Sequence, residues 1–221
     1  AMITGTQKCL AVPTGMAPVT YNERIGKILA ERKKIERGLS IDSQNDRKIQ
    51  SNYFDLSQIQ DYWSPTRLNH HTESTSMLYA LREGLRVIKE EGIENRIERH
   101  TTHGKALGVG LEAMGIELFG TEENRMPVVN ILKVPEGIDE EKVRMTMIHE
   151  FGIEIAGAFG PLAGKVWRIG SMGYSCRKNN ILRVLGALEF TLTYHGAELN
   201  RGDGTLAALE FYAGLDKPVI L

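Results

Sequence analysis

The sequence predicts an α/β fold whose later part closes into a compact α+β unit, and three features carry that prediction. Leu78, Leu81, Leu85 and Ile88 fall on one helical face, and Ile181, Leu185, Leu188 and Leu192 do the same over 178–194. Between such helices lie short stretches of strand length, at 127–134, 153–158 and 166–172. Glycine and proline punctuate the junctions, at Gly92, at Gly152 and in Phe159-Gly160-Pro161-Leu162-Ala163-Gly164.

In chain order, Ile3-Thr4-Gly5-Thr6-Gln7-Lys8-Cys9-Leu10-Ala11-Val12-Pro13-Thr14-Gly15 sets one lysine between an apolar run and a Gly/Pro turn. Residues 16–22 read as a short strand with Val19 and Tyr21 alternating. Asn22 caps a helix over 23–36 that carries Ile25, Ile28, Leu29 and Ile35 near helical spacing. Residues 37–50 are polar and aperiodic and read as a long loop. A second polar loop, 51–74, concentrates Asn52, Tyr53, Asp55, Tyr62, Trp63, Arg67, Asn69, His70, His71 and Thr72, the composition from which sites are often built. Helices follow from 74 or 75 to 91 and over 94–114, the latter with Ile97, Leu107, Leu111 and Met114 as its apolar side. After a short strand at 116–119, Asp139 caps a helix that Gly152 stops. The strands at 153–158 and 166–172 form a hairpin across the Gly/Pro connection. Beyond the helix over 178–194, a Gly/Asp-rich hinge leads to a weaker helix at 205–212. There is no internal repeat.

The 221 residues, 24.7 kDa, suffice for one large domain or two small ones. Twenty-seven basic against 28 acidic side chains leave no electrostatic case for nucleic acid or a membrane surface, so a small metabolite is the simpler partner. Cys9 and Cys176 match neither a disulfide framework nor a zinc site. No apolar run approaches the length of a spanning helix. A soluble, cytoplasmic protein is the expectation.

Three groups of residues could carry chemistry. Lys8, once neutral, could attack an aldehyde, with Thr6 and Gln7 offering donors to a phosphate and Gly5 allowing close approach. Taken alone, a lysine beside a turn is ordinarily a solvated surface residue. In Arg67-Leu68-Asn69-His70-His71-Thr72, adjacent histidines point different ways and no third ligand stands at metal spacing, so no metal site is expected and a polar loop before the next helix is the plain reading. In Val166-Trp167-Arg168-Ile169-Gly170, an arginine within an apolar strand needs an anion, either a salt-bridging Asp or Glu or a ligand carboxylate. His100 and His103, three apart on a helix, read as surface. Cys176 reads as inert.

The lysine stretch resembles the segment of class V, fold-type I aminotransferases in which Gly-Ser/Thr-Gln-Lys-x-Leu-x-x-Pro-x-Gly carries the lysine that binds pyridoxal 5′-phosphate. Gly5, Thr6, Gln7, Lys8, Leu10, Pro13 and Gly15 all fit. Asn69-His70-His71-Thr72 resembles the Tyr-His-His-Thr of the alanine–glyoxylate branch, with asparagine in place of tyrosine. Together with Thr6-Gln7-Lys8-Cys9-Leu10, Ser51-Asn52-Tyr53-Phe54-Asp55-Leu56-Ser57-Gln58 and Phe159-Gly160-Pro161-Leu162-Ala163-Gly164-Lys165, it is similar to the (S)-ureidoglycine–glyoxylate aminotransferases of purine breakdown.

That resemblance implies the C-terminal part of a fold-type I transferase. Residues 1–74 would end the large cofactor-binding domain, 75–195 would supply a bridging helix and an α+β small domain, and 196–221 a tail. It implies pyridoxal 5′-phosphate as cofactor, with Lys8 as catalytic and cofactor-binding residue, Gln7 on the phosphate of its own chain and Thr72 on that of a partner. Arg168 would take the substrate α-carboxylate and Asn69 the ureido group. The partners implied are a small-molecule amino donor and glyoxylate, and a second copy in a homodimer with shared active sites. Alanine– or serine–glyoxylate transfer is the alternative chemistry, and a fragment serving only in folding or dimerisation the alternative class. The family's lysine lies near the middle of a longer chain, so this sequence reads as a half whose isolated form lacks turnover.

Overall fold

The computed structural model describes residues 1–33, 51–65 and 67–215; the loop expected over 37–50, and the end of the helix expected to reach 36, lie outside them. The chain divides into two units. One comprises Ala1–Gln7 and Val12–Glu83, the other Lys8–Ala11 and Gly84–Leu221.

In the first unit, β1 (Met2–Ile3) pairs antiparallel with β2 (Val19–Thr20), shorter than the strand expected over 16–22. Asn22 accepts from the Ile25 amide at 3.2 Å and starts α1 (Glu23–Glu31), as its position before the apolar period foretells. The polar stretch expected to be all loop contains a helix, α2 (Leu56–Trp63). Asp55 nucleates it: its buried carboxylate accepts from the Ser57 amide at 2.9 Å, the Ser57 hydroxyl at 2.6 Å and the Gln58 amide group at 3.2 Å. Aspartate three residues before glutamine is a capping signature, and Leu56, Ile59 and Trp63 recur behind it at helical spacing. Lys33 pairs with Asp61 of α2 at 2.7 Å.

α3 (Thr75–Glu91) begins in the first unit and ends in the second. Gly92, at φ 83°, breaks it and admits α4 (Ile93–Ala113), the spine of the second unit. Around α4 lie β3 (Val129–Lys133), α5 (Glu140–Phe151), β4 (Ala156–Gly157), β5 (Val166–Gly170), α6 (Lys178–Tyr194) and α7 (Asp203–Ala213). The strands form an antiparallel sheet of order β3-β5-β4, with Arg168 of the central strand opposite Ile131 and Ala156. The expected hairpin is β4–β5, though β4 is only two residues long, and 116–119 contributes an isolated bridge, Leu118 to Leu132, rather than a strand. The caps of α5 fall where the sequence puts them: Asp139 accepts from the Lys142 amide at 3.1 Å, and Gly152 ends the helix in the left-handed region. Leu107, Leu111, Leu132, Met147, Trp167 and Leu188 are among the fully buried residues of the core.

α4 departs from its expected amphipathicity. Ile97 is 59% exposed, whereas Arg96, Arg99, His100 and His103 are buried, the two histidines at 4% and 1%. Neither histidine is a surface residue. His100 Nδ1–H is met by the Arg96 carbonyl at 2.7 Å and His103 Nδ1 by the Tyr212 hydroxyl at 2.7 Å, which lets a polar face turn inward, while His103 Nε2 is buried without a hydrogen-bond partner among the described residues. Further along, glycines bring neighbouring backbones close: a Cβ on Gly110 would stand 2.7 Å from the Gly204 carbonyl of α7, and one on Gly104 2.0 Å from the Pro127 carbonyl.

Gly104→Ala should therefore cost about 1–3 kcal/mol, because backbone must move to admit the methyl. Gly186→Ala, on exposed α6 surface with nothing within 4 Å of the new methyl, should instead stabilise by roughly 0.5–1 kcal/mol through helix propensity. Urea denaturation of both variants checks the opposite signs.

Candidate active site

The lysine stretch folds into a loop between β1 and β2. The Thr4 amide donates to the Pro18 carbonyl at 3.1 Å and the Val12 amide to the Thr6 carbonyl at 3.2 Å. Thr6 is fully buried, and its hydroxyl donates to the Pro13 carbonyl at 2.7 Å. That hydroxyl closes the loop and is not offered to a phosphate, contrary to the expectation for Thr6. The Gln7 side chain is exposed and lies back over Gly5, where a Cβ would stand 2.8 Å from its Oε1. Lys8 is exposed, and its ammonium has no ion-pair or hydrogen-bond partner among the described residues.

Lys8–Ala11 belongs with the second unit, and the reason is visible in what holds it. The Ala11 amide donates to the Lys8 carbonyl at 3.0 Å, and Ala11 sits at φ 58°, a left-handed conformation that costs a non-glycine residue about 1–2 kcal/mol. Arg96 Nη2 donates to the Cys9 carbonyl. Gly173, at φ 63°, packs so near that a Cβ there would lie 2.8 Å from Ala11 Cβ and 3.0 Å from the Lys8 carbonyl oxygen.

Arg168 projects from β5. Its Nε–H donates to the Gly157 carbonyl at 2.9 Å, and its guanidinium lies 5.4 Å from the centre of the exposed Phe159 ring. No carboxylate stands within ion-pair distance of it among the described residues. The nearby acid Glu140, close enough to Gly157 that a Cβ there would meet it at 2.6 Å, is engaged by Arg144 at 2.6 Å. The salt-bridge alternative thus finds no partner, and the terminal nitrogens keep their capacity for an external anion.

In the first unit, the His-His-Thr segment is ordered by its own hydrogen bonds. His70 Nε2–H donates to the Asn52 carbonyl at 2.7 Å, the two Nδ1 atoms of His70 and His71 share a hydrogen bond at 2.8 Å, and His71 Nε2 faces Glu73 at 3.3 Å. Tyr53 stacks on His70. The histidines are therefore spent on one another and on the loop, while Asn69 and Thr72 are exposed. Of the expected site residues, Lys8 and Arg168 fall in the second unit, and Gln7, Asn69 and Thr72 in the first.

The half-buried Glu91 and the buried Arg96 and Arg99 escaped sequence reasoning, and His100 was expected at the surface. Glu91 binds both guanidiniums, Arg96 at 2.6 Å and Arg99 at 2.6 Å. Burial works to raise its carboxyl, but the hydrogen bonds and charges of Arg99 and Arg96 outweigh that and hold it below the usual range. The one available signal was the i, i+3, i+4 spacing of Arg96, Arg99 and His100 on a helix with weak apolar alternatives.

Comparison with known proteins adds to this geometry. No family profile matches the chain. It is 57% identical over 217 residues, 96% of its length and 52% of the relative's, to the (S)-ureidoglycine–glyoxylate transaminase of Bacillus subtilis. The crystal structure of the ureidoglycine–glyoxylate aminotransferase from Bacillus subtilis superimposes with a TM-score of 0.86 at 56% identity, over 96% of this chain and 51% of that one. In sequence and fold the chain matches the C-terminal part of class V, fold-type I aminotransferases. An alanine–glyoxylate aminotransferase of Drosophila melanogaster is 35% identical over 189 residues, 84% of this chain and 45% of the relative. The chain spans about half the length of the aminotransferases it matches. Among the described residues, no helix is long and apolar enough to cross a membrane.

The two cysteines offer a check on the packing of the second unit. Burial pushes the Cys176 thiol up to about 11, whereas Cys9 is exposed beside Lys8. At mildly alkaline pH a thiol-reactive probe should label Cys9 and spare Cys176 until the chain is denatured, as peptide mapping would show; equal labelling in the folded state would contradict the packing around α4.

Proposed function

We propose that this chain is the lysine-bearing part of a pyridoxal-phosphate-dependent aminotransferase that moves the amino group of (S)-ureidoglycine to glyoxylate, yielding glycine. The observation that carries this reading is the 57% identity with a transaminase of that name, extending over nearly the whole chain. Cytoplasmic purine breakdown and a homodimer with shared active sites belong to the same proposal.

The residues present fit the cofactor. Lys8 has an amine free of protein partners among the described residues, on a loop whose backbone is fixed from two sides. The Gln7 amide, one residue earlier, is exposed and able to donate to a phosphate. Bound pyridoxal phosphate supplies the electron sink that lets an α-proton leave the donor. Lys8 would hold the cofactor through its aldehyde group, and Lys8 Nζ, freed when the donor binds, would hold and return the donor's α-proton as general base and acid. The Arg168 fork takes the donor carboxylate and afterwards that of glyoxylate, its Nε–H remaining on Gly157 so that the guanidinium keeps one orientation. Asn69 offers a donor and an acceptor to the ureido group, and Thr72 a hydroxyl to the phosphate of the partner's cofactor.

The test uses the enzyme assembled with the half that precedes this span in its relatives. Lys8→Ala should abolish amino transfer. Arg168→Lys, which keeps charge but loses the planar fork, should lower kcat/KM for donor and glyoxylate by roughly 30-fold, about 2 kcal/mol of charge-assisted hydrogen bonding. Asn69→Tyr should move donor preference from ureidoglycine toward alanine; an unchanged preference would count for the alanine–glyoxylate reaction of the other relatives.

A further inference from the structure

A single buried cluster reaches both the lysine turn and the chain that leaves the arginine strand. Glu91, at the end of α3, bridges Arg96 and Arg99 of α4. Arg96 extends its other terminal nitrogen to the Cys9 carbonyl. Arg99 Nη1 donates to the carbonyls of Gly173 at 3.1 Å and Cys176 at 2.7 Å. His100 Nε2 accepts from the Gly173 amide at 2.9 Å, so its Nδ1 carries the proton given to the Arg96 carbonyl. Gly173 in turn packs against Ala11 and the Lys8 carbonyl. Two guanidiniums share one carboxylate, and with His100 accepting through Nε2, the surplus positive charge is met by backbone carbonyls. Buried charge is retained only where such partners hold it, and removing a partner is strongly destabilising to what it contacts.

We propose that Glu91, Arg96, Arg99 and His100 form a clamp of positioning residues that locks the Lys8–Ala11 turn against the Gly173–Cys176 turn beyond β5, and thereby fixes the direction in which the cofactor lysine is presented. The proposal rests on the reading of Lys8 given above only for its functional half. The strained Ala11 is what the clamp stabilises: a left-handed alanine persists when its surroundings over-determine it, and here a hydrogen-bonded carbonyl on one side and a glycine without a side chain on the other do so. A lysine on a turn free to relax would sample many directions, and misplacement of a reacting amine lowers the rate without abolishing binding.

The test substitutes Arg96 in the assembled enzyme with its cofactor. Arg96→Leu removes both arms; Arg96→Lys keeps a cation beside Glu91 but cannot also reach the Cys9 carbonyl, and it decides the matter if the leucine variant does not fold. Amide exchange at Ala11 should rise about tenfold, the loss of one hydrogen bond of ordinary net strength, while the amides of Phe119 and Lys133, which join 117–119 to β3, stay within about twofold of their starting rates. The pH at which the bound cofactor's visible absorbance titrates should shift by at least about half a unit, and kcat should fall while KM for glyoxylate holds. Unchanged exchange at Ala11, or an equal rise at Phe119 and Lys133, would overturn the clamp. If the unsubstituted enzyme never binds cofactor at Lys8, the proposed function fails instead, and the exchange experiment still decides whether the clamp exists.

Discussion

One carboxylate shared by two buried guanidiniums ties together segments of the second unit that are distant in sequence. Glu91 cannot neutralise both Arg96 and Arg99, so the cluster must find further acceptors, and it takes them from the backbone of two turns distant in sequence. Charged groups in a low-dielectric interior are satisfied or expelled. The turn that carries Lys8 is thereby tied to α4 rather than to the strands that flank it, which accounts for its grouping with the second unit. Arg168 stands in contrast. It is half-buried, lightly tethered by one carbonyl and without a carboxylate among the described residues, the state expected of a cation kept for a ligand.

The same comparison explains which parts of the molecule the sequence disclosed. α5 and α6 were legible almost to the residue, because Asp139, Gly152 and the Ile181–Leu192 period are local signals that tertiary structure did not override. α2 was hidden because it is a short helix of 8 residues inside a stretch read for its polar and aromatic side chains, although Leu56, Ile59 and Trp63 recur at helical spacing behind the Asp55 cap. The inward face of α4 was hidden for a deeper reason. Periodicity arguments assume that charge faces water, and here Arg96, Arg99, His100 and His103 face carbonyls and a tyrosine that come from remote segments.

For the site, the motif around Lys8 was legible and its support was not. Seven residues at fixed spacing carry the resemblance that points to Lys8, but nothing in those seven says that Thr6 would spend its hydroxyl on Pro13, or that an arginine of α4 would hold the next carbonyl. Asn69 and Thr72 are exposed side chains that flank His70 and His71, on a segment ordered by the histidines' hydrogen bonds. Positioning in this protein is the work of residues that no functional motif contains.

The central claim is that the amine of residue 8 is the point of attachment for an aldehyde cofactor. Borohydride reduction of the assembled enzyme with pyridoxal phosphate, followed by peptide mapping by mass spectrometry, tests it most directly. The account predicts the reduced cofactor on the peptide containing Lys8 and on no other lysine peptide of this chain. A Lys8 peptide left unmodified, or label spread over the surface lysines, would contradict it.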